Sequence, residues 1–229
     1  MSSTKIFFQI ILTTLIIISF CQDLFSSGEF CWARAKIDLQ RDVNDYWRTH
    51  QDYDLMFLSH LSRLTTFKVK EEINVVDFHD LKNVCRFPFV FITAEGEPDL
   101  SDTEIRNIRE FLRRGGFIYA DDCVVNESGD YFFTGMKKVT EEKIFPGAKM
   151  RKLPDDHEIY KSFFSLPGLP HMQGVDYKGW GYFDEDGRMK IFLTAGDIHC
   201  GWTTEHFGEE KSMSALKMGI NIVIYALTH

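Results

Sequence analysis

Residues 87–122 read FPFVFITAEGEPDLSDTEIRNIREFLRRGGFIYADD, and they form one strand–helix–strand unit. Phe89–Thr93 is a short, almost wholly apolar run, the pattern of a parallel strand covered on both faces. Ala94-Glu95-Gly96 ends it. Ser101-Asp102-Thr103-Glu104 has capping-box spacing, with a hydroxyl and a carboxylate placed to satisfy the free N–H groups of a new helix. Ile105, Ile108, Phe111 and Leu112 then recur at helical spacing, with Arg106, Arg109, Glu110 and Arg113 facing outward. Gly115-Gly116 stops the helix, and Phe117–Ala120 runs into Asp121-Asp122. A right-handed crossover makes the two strands parallel, so Glu95-Gly96 and Asp121-Asp122 arrive at the same rim of a sheet.

Working outward, Phe30–Ile37 alternates as a first strand. Helices are expected over Val43–His50 and Asp54–Leu64, the second with Leu55, Leu58, Leu61 and Met56 inward. Ile73–Val76 reads as a strand and Asp80–Val84 as a helical turn. Beyond Asp122, Val124–Asp130 is a loop and Tyr131–Phe145 a helix closed by Pro146-Gly147. Met150–Leu153 is a short strand, and Leu166–Pro170 opens an irregular excursion. Tyr182–Thr194 is a hairpin turning at Asp186-Gly187, and Ser212–Leu227 is the closing helix. Alternating strands and helices in one block define a single α/β domain with a mostly parallel sheet, plus a C-terminal hairpin and helix.

The 229 residues carry a net charge of −8 without a basic stripe, which argues against nucleic acid as a partner. Residues 1–21 read as a signal peptide: a short n-region with Lys5, an apolar Ile6–Phe20, and small residues at Ser19 and Cys21. An uncleaved anchor is the alternative. The domain then spans 22–229, periplasmic or secreted, and meets a membrane only through an unprocessed leader. Export permits disulfides, but Cys31, Cys85, Cys123 and Cys200 are irregularly spaced and contain no C-x-x-C. Cys85 and Cys123 read as isolated buried thiols.

Ligands of open α/β sheets bind outside the carboxyl ends of the strands. Asp121 and Asp122 could serve there as an acid/base pair or as hard-metal ligands. The simpler reading is one capping a turn and the other solvated. Asp197, His199 and Cys200 follow the last strand. On an extended segment His199 and Cys200 point to opposite faces, so His199 pairs better with Asp197 than with the thiol. Glu95, Gly96, His157, Gly201 and Trp202 are candidate ligand contacts, and Trp180, Trp202 and Tyr177 a candidate stacking platform. No dinucleotide, P-loop, serine-esterase or zincin motif is present, and the sequence names neither a cofactor nor a metal-ligand set.

Six collinear blocks resemble the bacterial domain-of-unknown-function family 4159. They are Phe87–Thr93, Leu100–Glu104 with Phe111–Asp122, Phe145-Pro-Gly, Leu153–Tyr160, Asp197–Trp202 and Gly219–Leu227. The resemblance runs from about Cys31 onward. It implies a flavodoxin-like sandwich similar to class I glutamine amidotransferases and trehalose-utilisation proteins, with no established activity. It also marks Asp121, Asp122, His157, Asp197, Cys200, Gly201 and Trp202 as a shared site. A glutaminase of that fold has its Cys on a strand–helix elbow, and Cys123 lacks the elbow glycines. Three functions follow as expectations. They are binding of a small polar or carbohydrate-like ligand, hydrolysis or amide processing by Asp121, Asp122, Asp197, His199 and Cys200, and assembly with a cell-envelope protein.

Overall fold

The computed structural model describes residues 28–40, 47–48, 50–123, 130–173 and 178–229. The leader, most of the Val43–His50 helix, the loop after Cys123 and Tyr177 lie outside the described residues. Seven strands form one sheet: β1 Glu29–Lys36, β2 Lys68–Asp77, β3 Phe89–Ala94, β4 Phe117–Asp122, β5 Arg151–Lys152, β6 Trp180–Phe183 and β7 Met189–Ala195. The helices are α1 Gln51–Leu64, α2 Leu81–Val84, α3 Asp102–Arg113, α4 Tyr131–Val139 and α5 Gly208–Thr228. A π-turn, Thr140–Ile144, continues α4, and the chain after β7 makes a 3-10 turn at Cys200–Trp202.

The strand order is β2-β1-β3-β4-β7-β6-β5. The first five are parallel, and β6 and β5 return antiparallel. Counted as parallel strands alone, this is the 2-1-3-4-5 order of flavodoxin-like folds. β3 and β4 are buried at every position, so each alternates between two interiors. Phe89, Phe91, Phe117 and Tyr119 face one side with Trp32, Phe57 of α1 and Ile220 of α5. Val90, Ile92, Ile118 and Ala120 face the other with Phe111 of α3 and Phe132 of α4. Two helical layers on one sheet give a three-layer sandwich.

The capping box closes as its spacing requires: Ser101 Oγ accepts the Glu104 N–H, and Glu104 accepts the Ser101 N–H at 2.8 Å. α1 differs from expectation. It begins at Gln51, and its inward set is Tyr53, Asp54, Phe57, Leu58 and Leu61, while Leu55 and Met56 are exposed. The stripe rotates because Asp54 itself is buried and partnered.

Candidate functional site

The ends of β3, β4 and β7 meet because backbone pairing continues past the strands. Cys123 N–H donates to Ala94 C=O at 3.1 Å, and Asp197 N–H to Asp122 C=O at 3.2 Å. Gly196 (φ 158°) and Asp197 (φ 62°) then turn the chain sharply. Asp197 holds a left-handed conformation that only short polar side chains adopt readily after glycine. Residues 197–202 are therefore a coil of turns rather than an extended segment, which removes the basis for separating His199 from Cys200. A ring nitrogen of His199 and the sulfurs of Cys123 and Cys200 all lie within 4.8 Å of one another.

Asp121 and Asp122 are both fully buried, so neither is solvated. They also face different layers, as neighbours on a strand must. Asp121 accepts from Thr194 Oγ1 at 2.6 Å and from the His199 N–H at 2.8 Å, tying the turn to β4. Burial pushes its carboxyl well above the ordinary carboxylate range, against the pull of those two donors. Asp122 accepts the Phe133 N–H at 2.8 Å, capping the first turn of α4 from the sheet. The capping half of the expectation holds, although Asp122 serves the helix across the loop rather than an adjacent turn.

Asp197 and His199 do not form a pair. Asp197 accepts Gln173 Nε2 at 2.9 Å through Oδ2 and the Cys123 thiol at 3.4 Å through Oδ1. His199 Nε2 instead meets Asp54 Oδ1 at 2.9 Å. Asp54 Oδ2 accepts Arg34 Nη1 at 3.0 Å and Trp32 Nε1 at 3.2 Å. Asp54, Arg34 and His199 have no accessible surface. Burial holds the His199 imidazole below its usual range even though Asp54 favours the charged form.

Cys123 is not isolated: its sulfur lies 3.2 Å from that of Cys200. The neighbouring Cys200 thiol, burial and the Asp197 charge push Cys123 well up. Cys123 pulls Cys200 the other way, but burial and Asp197 outweigh it and Cys200 also rises. Half-buried Glu95 rises through burial and the charge of Asp197, which places the end of β3 in the same field. Above them Tyr53 bonds His206 Nε2 at 2.8 Å and Glu205 at 3.3 Å, and burial with Glu205 pushes its phenol up to about 12.

Three candidates belong elsewhere. His157 packs on Tyr225 and Phe183. Tyr225 contacts Phe117 at the start of β4, so His157 sits by the amino rim, away from the crevice. Trp202 is buried and stacked on Phe57 with ring centroids 4.3 Å apart, a core side chain rather than a ligand platform. Gly201 provides clearance: a Cβ there would come within 2.6 Å of Ala215. A shallow open depression of about 430 Å³, bordered by Arg109, Phe145 and Tyr182, is distinct from the crevice and holds no reactive cluster.

Sequence reasoning missed Asp54, Arg34 and Gln173. For two of them a signal existed. Asp54 stands three, four and seven positions before Phe57, Leu58 and Leu61, on the apolar stripe itself, and Arg34 has the strand parity of Phe30 and Trp32. A charge on a buried face needs a buried partner. Gln173 comes from an irregular segment and left no pattern to read.

This fold and buried polar centre define a flavodoxin-like α/β protein with its polar groups gathered at the carboxyl rim. The family described as "Domain of unknown function (DUF4159)" matches residues 34–227, and the chain belongs to that family. No curated protein matches it significantly. Among the described residues no helix is long and apolar enough to cross a membrane.

Proposed function

We propose that the protein binds a small polar, carbohydrate-like ligand at the carboxyl ends of β3, β4 and β7, and that it works outside the cytoplasm after export by its N-terminal segment. One observation carries the reading: Glu95, Cys123, Asp197 and Cys200, from the ends of three adjacent parallel strands, form one cluster. Glu95 and Gln173 are only half-buried and form its reachable edge. The acceptors there are carboxylates, so the ligand supplies donors, either hydroxyls or an ammonium group. With Trp202 stacked in the core, selectivity comes from hydrogen bonds rather than ring stacking.

Amide processing of the amidotransferase kind, with Cys200 or Cys123 as nucleophile, is the second reading. A nucleophilic Cys needs a depressed pKa or an adjacent base; His199 lies near enough to be that base, but its imidazole is braced on Asp54 and both thiols are pushed up. That weighs for binding. The test is thermal unfolding against sugars, polyols and small amines. A ligand at a hundred times its Kd stabilises by about 2.7 kcal/mol, and Glu95→Gln should reduce the shift. A silent panel sinks the ligand reading and leaves a cell-envelope interaction module as the one to pursue. For export, the intact mass of the secreted chain should begin near Gln22; a chain retaining residues 1–21 refutes cleavage.

A further inference from the structure

The floor of the crevice carries a second message, independent of any ligand above it. Cys123, Cys200 and His199 are all buried and present two sulfurs and an imidazole within 4.8 Å of one another. His199 Nε2 is committed to Asp54, while Nδ1 is buried without a hydrogen-bond partner. An imidazole beside two thiols, with one nitrogen held by a carboxylate and the other unpartnered, has the make-up of a metal-binding histidine with its orienting partner. We propose that Cys123, Cys200 and His199 Nδ1 bind a zinc-like divalent cation.

Charge and distance support this. The Asp197 carboxylate accepts from the Cys123 thiol and bears on both sulfurs, whereas Arg34, the one buried Lys or Arg among the described residues, is paired with Asp54. A divalent cation would balance that excess, and each thiol would give up its proton on binding. With Zn–S near 2.3 Å in tetrahedral geometry, two sulfur ligands stand roughly 3.8 Å apart, so the observed 3.2 Å needs only a small opening. A disulfide, at about 2.05 Å, would need the sulfurs to close by more, and it would leave His199 Nδ1 and its Asp54 brace without a role. The donor set, two soft sulfurs and one nitrogen, suits zinc over magnesium or calcium. Three protein ligands leave one coordination position open.

Other clusters carry less. Asp77, His79 and Glu104 also gather, but His79 is exposed and already paired with Asp77 at 2.9 Å, while Glu104 serves the capping box.

The experiment titrates the reduced, metal-stripped full-length chain with cobalt(II) and follows its absorption. One equivalent should bind with an intense thiolate-to-cobalt charge-transfer band and tetrahedral ligand-field bands, and zinc should displace it. Cys123→Ser and Cys200→Ser should each weaken binding more than about 100-fold, and Asp54→Asn, acting through His199, about 10–100-fold. A spectrum without the thiolate band overturns the proposal on the unmutated protein alone, whatever the variants do. Binding unchanged in folded Cys123→Ser and Cys200→Ser proteins overturns it equally, as does a reduced protein with no affinity for either metal.

Discussion

His199 Nε2 and Asp54 Oδ1 lie 2.9 Å apart across 145 residues of chain, and neither side chain touches solvent. The contact joins the turn after β7 to the first helix, and through Asp54 to Arg34 on β1. The carboxylate thus serves a guanidinium, an indole and an imidazole at once.

Removing it takes from the buried Arg34 guanidinium the carboxylate it meets at 3.0 Å. Asp54→Ala should destabilise the protein by about 3–5 kcal/mol, the cost of breaking a buried ion pair by removing one partner. The double change Asp54→Leu with Arg34→Met should lose much less, because both charges of the pair are then replaced by apolar side chains. Urea denaturation of the three proteins checks this; equal losses in the single and double variants would show that packing, not charge, sets the cost.

Gly219 predicts a cost of another kind. On α5 a Cβ at this position would stand 2.6 Å from Phe57 Cε2 and 2.9 Å from Trp202 Nε1. Both rings are buried and stacked on each other, so neither yields cheaply. Gly219→Ala gains about 1 kcal/mol of helix propensity but should lose about 1–3 kcal/mol to overpacking. The net expectation in thermal or chemical denaturation is a modest loss, and a stabilised variant would mean that α5 can shift outward.

The sheet was legible because its signals are local. Runs such as Phe89–Thr93, the Ser101–Glu104 cap and the Gly115-Gly116 stop act within a few residues, and the structure follows them. The site was half legible. Asp121, Asp122, Asp197 and Cys200 could be placed at strand ends from strand direction alone. Their partners could not, since the Cys123–Cys200 contact depends on β4 and β7 being neighbours. His157 misled for the same reason: a polar loop after a short strand gives no indication of which rim it serves.

Asn221 tests how the irregular excursion is held. This fully buried amide on α5 accepts the N–H groups of Phe163 and Phe164 at 3.1 and 2.7 Å, and donates to Phe164 C=O at 2.9 Å. Asn221→Leu, of similar volume, removes all three and leaves backbone groups without partners. At about 1 kcal/mol for each hydrogen bond, the loss should be about 2–3 kcal/mol. Hydrogen exchange should rise at Phe163 and Phe164 before it rises in β4. Exchange unchanged at those two amides would show that the excursion is held by its apolar anchors instead.

Glu141 fixes part of the acid limb of stability. It lies in the π-turn after α4 with its side chain nearly buried. It accepts Lys137 at 2.9 Å, the Met150 N–H at 3.0 Å and Lys149 at 3.1 Å. Burial works to raise its carboxyl, but Lys137, the Met150 N–H and Lys149 together outweigh that and hold it below the usual 4.5. A carboxyl lowered by folding adds stability that is complete above its unfolded value and disappears as pH falls through the folded one. Glu141→Gln should therefore cost about 1–2 kcal/mol at pH 7, with the gap from the unmodified protein closing between about pH 5 and pH 3. Lys149 is largely exposed and screened by salt, whereas the Met150 N–H is not, so most of the gap should survive raised ionic strength. Urea midpoints across that pH range decide it: a gap that stays constant down to pH 3 would mean that Glu141 acts by packing and not by charge.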